Sequence, residues 1–465
     1  MSSPDSMAAP SALDRAVSKA YWRLLPLLFL CYVVAYVDRS NLSIAFETMS
    51  QDMPTFNKKV LGFGAGIFFI GYFLLEIPGT ILVEKWSARK WISRIMISWG
   101  IVAAMTAAVK TPTQLYVVRF FLGLAEAGFF PGVIVYLTHW FPSRDRTRAL
   151  AWFLIGSPVA QAISPLISYP LLSIATTAKP DMTRMSDVMA PGLHGWQWVF
   201  IFWGIPAIVL GVLVLFLLTD RPSQARWLSA EEREALENEL ERERSEHKAR
   251  GHMTLVEAFK NPKVLVLAAA YFFIVTGNYG LEIFLPSILS EWYKLDYLQK
   301  MMILTIPAAG SLVGQLFIGW NSDRTRERRI HASAPIFLGA AALGLTVVTR
   351  HPLPLMMLLF TLAATGLKAY LPAFWSLPSL FLTSTAAAGS IGFINSFGNL
   401  GGFVGPMAMG WLKDDMTARV KDGRLSSNFN MYMPGILVLC VSMTVSASII
   451  LSLRYGRREA KPPAA

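Results

Sequence analysis

Apolar runs about 20 residues long recur along the chain, separated by short polar segments. They lie near 23–46, 61–83, 91–109, 113–138, 148–174, 196–218, 262–290, 301–322, 331–349, 353–382, 386–412 and 432–453. About 20 helical residues cross roughly 30 Å of hydrocarbon. The pattern therefore predicts twelve transmembrane helices. One long polar stretch, 219–261, divides them six and six. Within it, Ser229-Ala230-Glu231-Glu232 has the spacing of a capping box, with Ser229 as N-cap. A charge-rich surface helix is expected from there to about Arg250. The chain then divides into a disordered N-terminus (1–20), a six-helix bundle (21–218), a linker with an amphipathic helix (219–261), a second bundle (262–455) and a short tail (456–465). The first apolar run continues into a full span, unlike a cleavable leader.

Composition agrees with this division. Apolar residues make up 54% and charged residues 15%, against about 25% charged in soluble domains. The net charge of +12 would suit a nucleic-acid partner, but its distribution does not. Of 42 Lys and Arg, 27 fall at the termini, in the linker and in the connections on that side. Twelve fall on the opposite side, and three (Arg39, Arg119 and Lys368) lie inside spans. Such a bias places both termini and the linker in the cytoplasm of a cell with this protein in its inner membrane. The outer loop 413–431 weakens the bias, because it holds Lys413, Arg419, Lys421 and Arg424. Cys31 and Cys440 both fall in spans and are expected to pack as small apolar residues, not to form a disulfide.

The two halves echo each other. After the second span come Gly79, then Glu84-Lys85, then Arg89-Lys90. After the eighth come Gly319, then Asp323-Arg324, then Arg328-Arg329. The copies are six spans out of phase, as in transporters built from parallel repeats. The acid is expected to cap a helix and pair with an Arg across the bundles, closing the cytoplasmic side until the protein opens inward. The alternative is a pair of merely basic loops.

Charges inside hydrocarbon are costly, so each needs a partner, a cavity or a task. Asp38 and Arg39 lie in the first span, and Arg119 and Glu126 in the fourth, two turns apart on one helix face. All four are expected to meet in one cavity. Arginines there can clamp a carboxylate, and carboxylates can exchange protons. The alternative is a network that only sets helix packing. Glu282 of the seventh span and Lys368 of the tenth are expected to pair, unless they snorkel to water. Glu76 has no obvious partner; it is expected to stay protonated or to bind an arginine. Tyr72, Gln161, Trp375 and Asn395 are the polar and aromatic residues best placed to line the same cavity.

Tyr36-Val-Asp-Arg-Ser-Asn41, Gly71 through Pro78, Arg119 through Pro142, Ala373 through Pro378 and Ile394 through Pro406 together resemble the anion:cation symporters of the major facilitator superfamily. The loop Gly319-x3-Asp-Arg-x3-Arg-Arg resembles that superfamily's signature. The first copy departs from it, with Glu84 offset by one and Ser87 where Gly is usual. The resemblance implies an all-α membrane protein of two pseudo-symmetric six-helix bundles. It implies that Asp38 and Glu126 carry protons, and that Arg39 and Arg119 contact or organise an anion. Tyr36, Tyr72, Gln161, Trp375 and Asn395 match its cavity positions. Tartrate, sugar acids and aromatic carboxylates are the implied cargo. Lys368 and Glu282 depart from the family pattern and leave the cargo's charge open.

The expected function is proton-coupled uptake of a small organic anion by a monomer, with no cofactor, no metal and no enzymatic activity. No nucleotide-binding loop or His-Glu-x-x-His pattern is present. An exchanger or efflux pump on the same scaffold is the alternative, and a membrane sensor that signals through the linker is a more distant one.

Overall fold

The computed structural model describes residues 11–174, 192–249, 260–293, 295–348, 352–378 and 384–453. The expected disorder over 1–10, the linker's last third and the tail from 454 lie outside these. Among the described residues there are seventeen α-helices. In the first half these are α1 (Ala12–Asp52), α2 (Lys58–Lys85), α3 (Ala88–Met105), α4 (Pro112–Glu126), α5 (Phe129–Thr138), α6 (Ser143–Leu154), α7 (Gly156–Leu172) and α8 (Gly195–Leu217). The linker forms α9 (Ala230–Ala249). The second half holds α10 (Pro262–Trp292), α11 (Tyr297–Thr325), α12 (Arg329–Val348), α13 (Leu353–Ala369), α14 (Leu371–Ser376), α15 (Ser384–Asn399), α16 (Gly401–Lys421) and α17 (Met433–Ser452).

Among the described residues, eleven segments are long and apolar enough to cross a membrane. They correspond to every expected span except 386–412, which is split between α15 and α16. Large apolar side chains such as Phe216 (74% exposed) and Val348 (76%) stand outward. Lipid solvates such a surface and water does not.

Three local differences from the sequence reading have physical causes. Residues 11–20 are helical, because the Ser11 hydroxyl accepts the Asp14 N–H and starts α1 there. Helix α16 runs on to Lys421 through the stretch expected as a loop, and Lys413 is paired with Glu291 at 2.9 Å. The fourth and tenth spans are broken, after Glu126 and after Ala369. At the first break Gly128 takes φ 84°, a left-handed conformation that favours glycine. In the linker the capping box forms as expected: Glu232 N–H donates to the Ser229 hydroxyl, and Ser229 N–H donates to the Glu232 carboxylate.

Within the first half, α3 packs on α8, α2 on α4, and α1 on α7 and α8. Within the second, α10 packs on α16 and α17, and α13 on α11 and α12. The halves meet chiefly where α2 faces α16 and α7 faces α11. Close approach inside the first half depends on Gly123: a Cβ there would stand 1.9 Å from the Phe68 carbonyl oxygen. Gly123→Ala is therefore expected to push α4 off α2 and to lower the melting temperature by several degrees in detergent, for an overpacking cost of about 1–3 kcal/mol.

Cross-half bonds among the described residues lie at mid-depth or at the end away from the linker. There Lys58 donates to Ser287 at 2.8 Å, Lys59 N–H to Asp414 at 2.9 Å and Ser43 to the Ile283 carbonyl at 2.8 Å, and Lys300 pairs with Glu47. At the opposite end the linker helix is bound to the first half. Lys19 contacts Glu232 at 2.8 Å, and Glu243 accepts from Ser143 and Arg146.

Candidate functional site

The intramembrane charges do not all meet in one cavity. Adjacent residues on a helix diverge by about 100°, so Asp38 and Arg39 face different neighbours. Asp38 turns toward α3, where Trp99 Nε1 donates to it at 2.6 Å and Asn41 at 3.3 Å. Arg119 is also buried, with Nε donating to the Gly64 carbonyl at 3.3 Å. Of the four charges, Arg39 and Glu126 form the direct ion pair, and Asp38 and Arg119 stand within electrostatic reach of it. Arg39 Nη2 lies 2.6 Å and Nε 2.8 Å from Glu126 Oε1.

That pair is built by the helix break. Glu126 is the last residue of α4, and the chain turns at Gly128, so the carboxylate sits at the interruption. Glu126 is 1% exposed, and its Oε2 has no hydrogen-bond partner among the described residues. Arg39 reaches across to the second half, where its Nη1 donates to the Tyr279 hydroxyl at 3.0 Å. Its guanidinium stands 5.1 Å from the Tyr36 ring, 5.3 Å from Tyr72 and 5.5 Å from Phe68. Arg119 lies 5.1 Å from the same Phe68 ring, which stabilises both guanidinium groups.

In the second half, Lys368 Nζ lies 3.4 Å from Glu282 Oε2, and Asn278 Nδ2 donates to that oxygen at 3.3 Å. Lys368 is near the end of α13, just before the second break. A cavity of about 90 Å³ opens beside it between the halves, lined by Ser40, Gln161, Asn278, Glu282, Ser311 and Lys368 among others. Asn395 donates to Glu76, with Ser396 and Asn399 beside the same carboxylate and Arg39 within electrostatic reach. Trp375 packs edge-on against Tyr271 at 5.0 Å.

The loop residues pair within their own halves. Arg89 Nε lies 3.8 Å from Asp220, whose carboxylate also accepts the Arg89 N–H at 2.9 Å. Asp323 holds Arg328 at 2.5 Å, and Arg324 stacks over Trp320 at 5.4 Å. The helix-capping acid is Glu327, which accepts the N–H groups of Ile330 and His331. Asp323 therefore does not cap, and in this conformation it pairs inside the loop. Among the described residues, bonds between the bundles lie at mid-depth or at the other end. Side chains of Glu84 and Lys85 lie outside the described residues. His139, just past α5, has its imidazole held down to about 4 by burial and by Arg221 and Arg244, so it stays neutral above that pH.

Sequence reasoning missed Trp99 and Tyr279. Their signal was weak, since an aromatic residue in a span ordinarily packs or anchors. Cys31 and Cys440 are free thiols.

Comparison with known proteins places this arrangement among transporters. Residues 28–412 match the family model described as Major Facilitator Superfamily. A putative tartrate transporter of Agrobacterium vitis is 39% identical, over 86% of this chain and 85% of its own length. The inner membrane transport protein RhmT of Escherichia coli (strain K12) is 34% identical over 97% of both. In fold, the chain matches a bacterial homolog of the human lysosomal transporter Spinster, in an inward-facing and unoccupied conformation. The TM-score is 0.75 at 17% identity, covering 93% of this chain and 96% of that one.

Proposed function

This chain belongs to the major facilitator superfamily, and on that premise we propose that it couples the uptake of a small organic carboxylate to protons. It is a multi-pass inner-membrane protein and a secondary-active transporter, not an enzyme. Similarity to the tartrate transporter and RhmT supports an anionic cargo such as tartrate or a sugar acid. The observation that carries the reading is the Arg39–Glu126 pair at the α4 break.

Arg39 is the anion's anchor. Tyr36, Tyr72 and Phe68 hold the guanidinium in place, and Tyr279 ties it to the second half. A substrate carboxylate displaces Glu126 from Arg39, and the released carboxylate takes a proton. Without that proton, an uncompensated buried charge would remain, which is costly. Asp38 is the second proton carrier, held by Trp99 and Asn41. Arg119 acts one ring away, organising the site without touching cargo.

The linker, the N-terminus and the basic loops lie in the cytoplasm in this reading, supported by the charge bias and by the Lys19–Glu232 contact. The conformation is then closed to the outside and open inward. Bundles 21–218 and 262–455 rock about the central site, and one copy suffices. Arg89, Asp323, Arg324 and Arg328, with Glu84 and Lys85, form the gating loops that pair across the bundles in the opposite, outward-open state.

In proteoliposomes, adding tartrate outside is expected to alkalinise the external medium as substrate and protons enter together. A dye trapped inside would acidify in step. Exchange of labelled for unlabelled tartrate with no proton movement would assign anion exchange instead.

A further inference from the structure

The anion-transport reading, on which this inference rests, leaves the Lys368–Glu282 pair without a task. We propose that Lys368 and the cavity beside it form a second carboxylate subsite, and that the cargo is a dicarboxylate of about four carbons, bridging Arg39 and Lys368.

Tyr36 connects the two cations. Its ring lies 5.1 Å from the Arg39 guanidinium and 5.9 Å from the Lys368 ammonium. Arg39 and Lys368 are therefore no further apart than those two distances end to end, about 11 Å. An extended four-carbon diacid has about 4 Å between its carboxyl carbons, and an ion pair adds about 3–4 Å at either end. Its two carboxylates can therefore reach both cations, and they match them in charge.

The pairs are also equivalent in the fold. Spans one and four supply Arg39 and Glu126; spans seven and ten, their counterparts six spans on, supply Glu282 and Lys368. Each pair has one member beside a broken helix. The signs are exchanged between halves, so both halves present one cation and one removable acid. The Lys368–Glu282 contact at 3.4 Å is longer than a usual charge-assisted bond of about 2.8 Å, and so is easily exchanged. Gln161 Nε2 is buried without a hydrogen-bond partner among the described residues, and Gln161 lines the same cavity. A carboxylate there would accept its N–H. The cavity of about 90 Å³ holds a group of that size, since a water takes about 30 Å³.

Binding exchanges ion pairs in balance. One substrate carboxylate takes Arg39 from Glu126, and the other takes Lys368 from Glu282. Glu282 forms an O–H bond with a proton from the side the substrate enters, and Asn278 stays on its Oε2. A monocarboxylate leaves the Lys368–Glu282 pair in place.

The test compares matched acids on purified full-length protein: succinate and tartrate against butyrate and 2-hydroxybutyrate, by thermal-shift titration and by counterflow in proteoliposomes. Wild type is expected to prefer the diacids by about tenfold to hundredfold, the worth of one added charge-assisted contact. Lys368→Met should collapse that preference to within about threefold. The double variant Lys368→Met/Glu282→Leu should do the same without stranding a buried carboxylate, which keeps the test valid if the single variant folds poorly. Lys368→Arg should retain the preference. A wild type indifferent to the second carboxylate, or a double variant that still prefers diacids, overturns the second subsite while leaving monocarboxylate transport intact. No response to any of the four acids would instead overturn the anion-transport reading.

Discussion

Arg39→Met is expected to abolish substrate binding and transport, with uptake reduced at least about a hundredfold. Arg119 does not replace it at the centre, because its Nε donates to the Gly64 carbonyl. The substitution also strands Glu126, which is 1% exposed and takes its ion pair from Arg39 alone among the described residues. Breaking a buried pair from one side costs about 3–5 kcal/mol, so the single variant should also melt earlier. Arg39→Met/Glu126→Gln separates the two effects. It removes the stranded charge and should recover most of the melting temperature while binding stays lost. Thermal-shift measurement with and without tartrate reads both at once. If the double variant still binds tartrate with wild-type affinity, Arg39 is not the anchor.

The helices and the pairing of distant charges were unequally legible in the sequence. Span lengths follow from hydrocarbon thickness, so apolar runs mark them directly. The linker cap at Ser229 is a contact three residues long and needs no tertiary knowledge. The breaks after Glu126 and Ala369 leave no polar gap, since both runs remain apolar across them, and hydropathy passes over them. Rotation about the helix axis is equally silent. The sequence puts Asp38 beside Arg39, and the fold sends one to Trp99 and the other to Glu126. Arg119 and Glu126 share a face two turns apart, yet the guanidinium ends against Phe68 and the carboxylate at the break. Hydrophobic content tells how deep a residue lies, and only packing tells which neighbour it meets.

Glu126→Gln should separate movement of the anion from movement of the proton. The amide keeps an oxygen able to accept from Arg39 Nε, so the geometry at the α4 break survives. What the variant loses is the exchange of a proton at that oxygen. A pH gradient acid outside should drive at least about tenfold less accumulation than in wild type, the factor expected for one proton and one pH unit. Counterflow under equal pH on both sides should persist, because neither half of the cycle then requires deprotonation. The uptake rate of the variant should also rise less steeply on acidification than that of wild type, since Asp38 remains to exchange a proton. Counterflow that fails along with accumulation would mean that Glu126 only holds Arg39 in position. Accumulation equal to wild type would place the coupling elsewhere, and Asp38, bonded to Trp99 on the other side of α1, would then be the carboxylate to replace next.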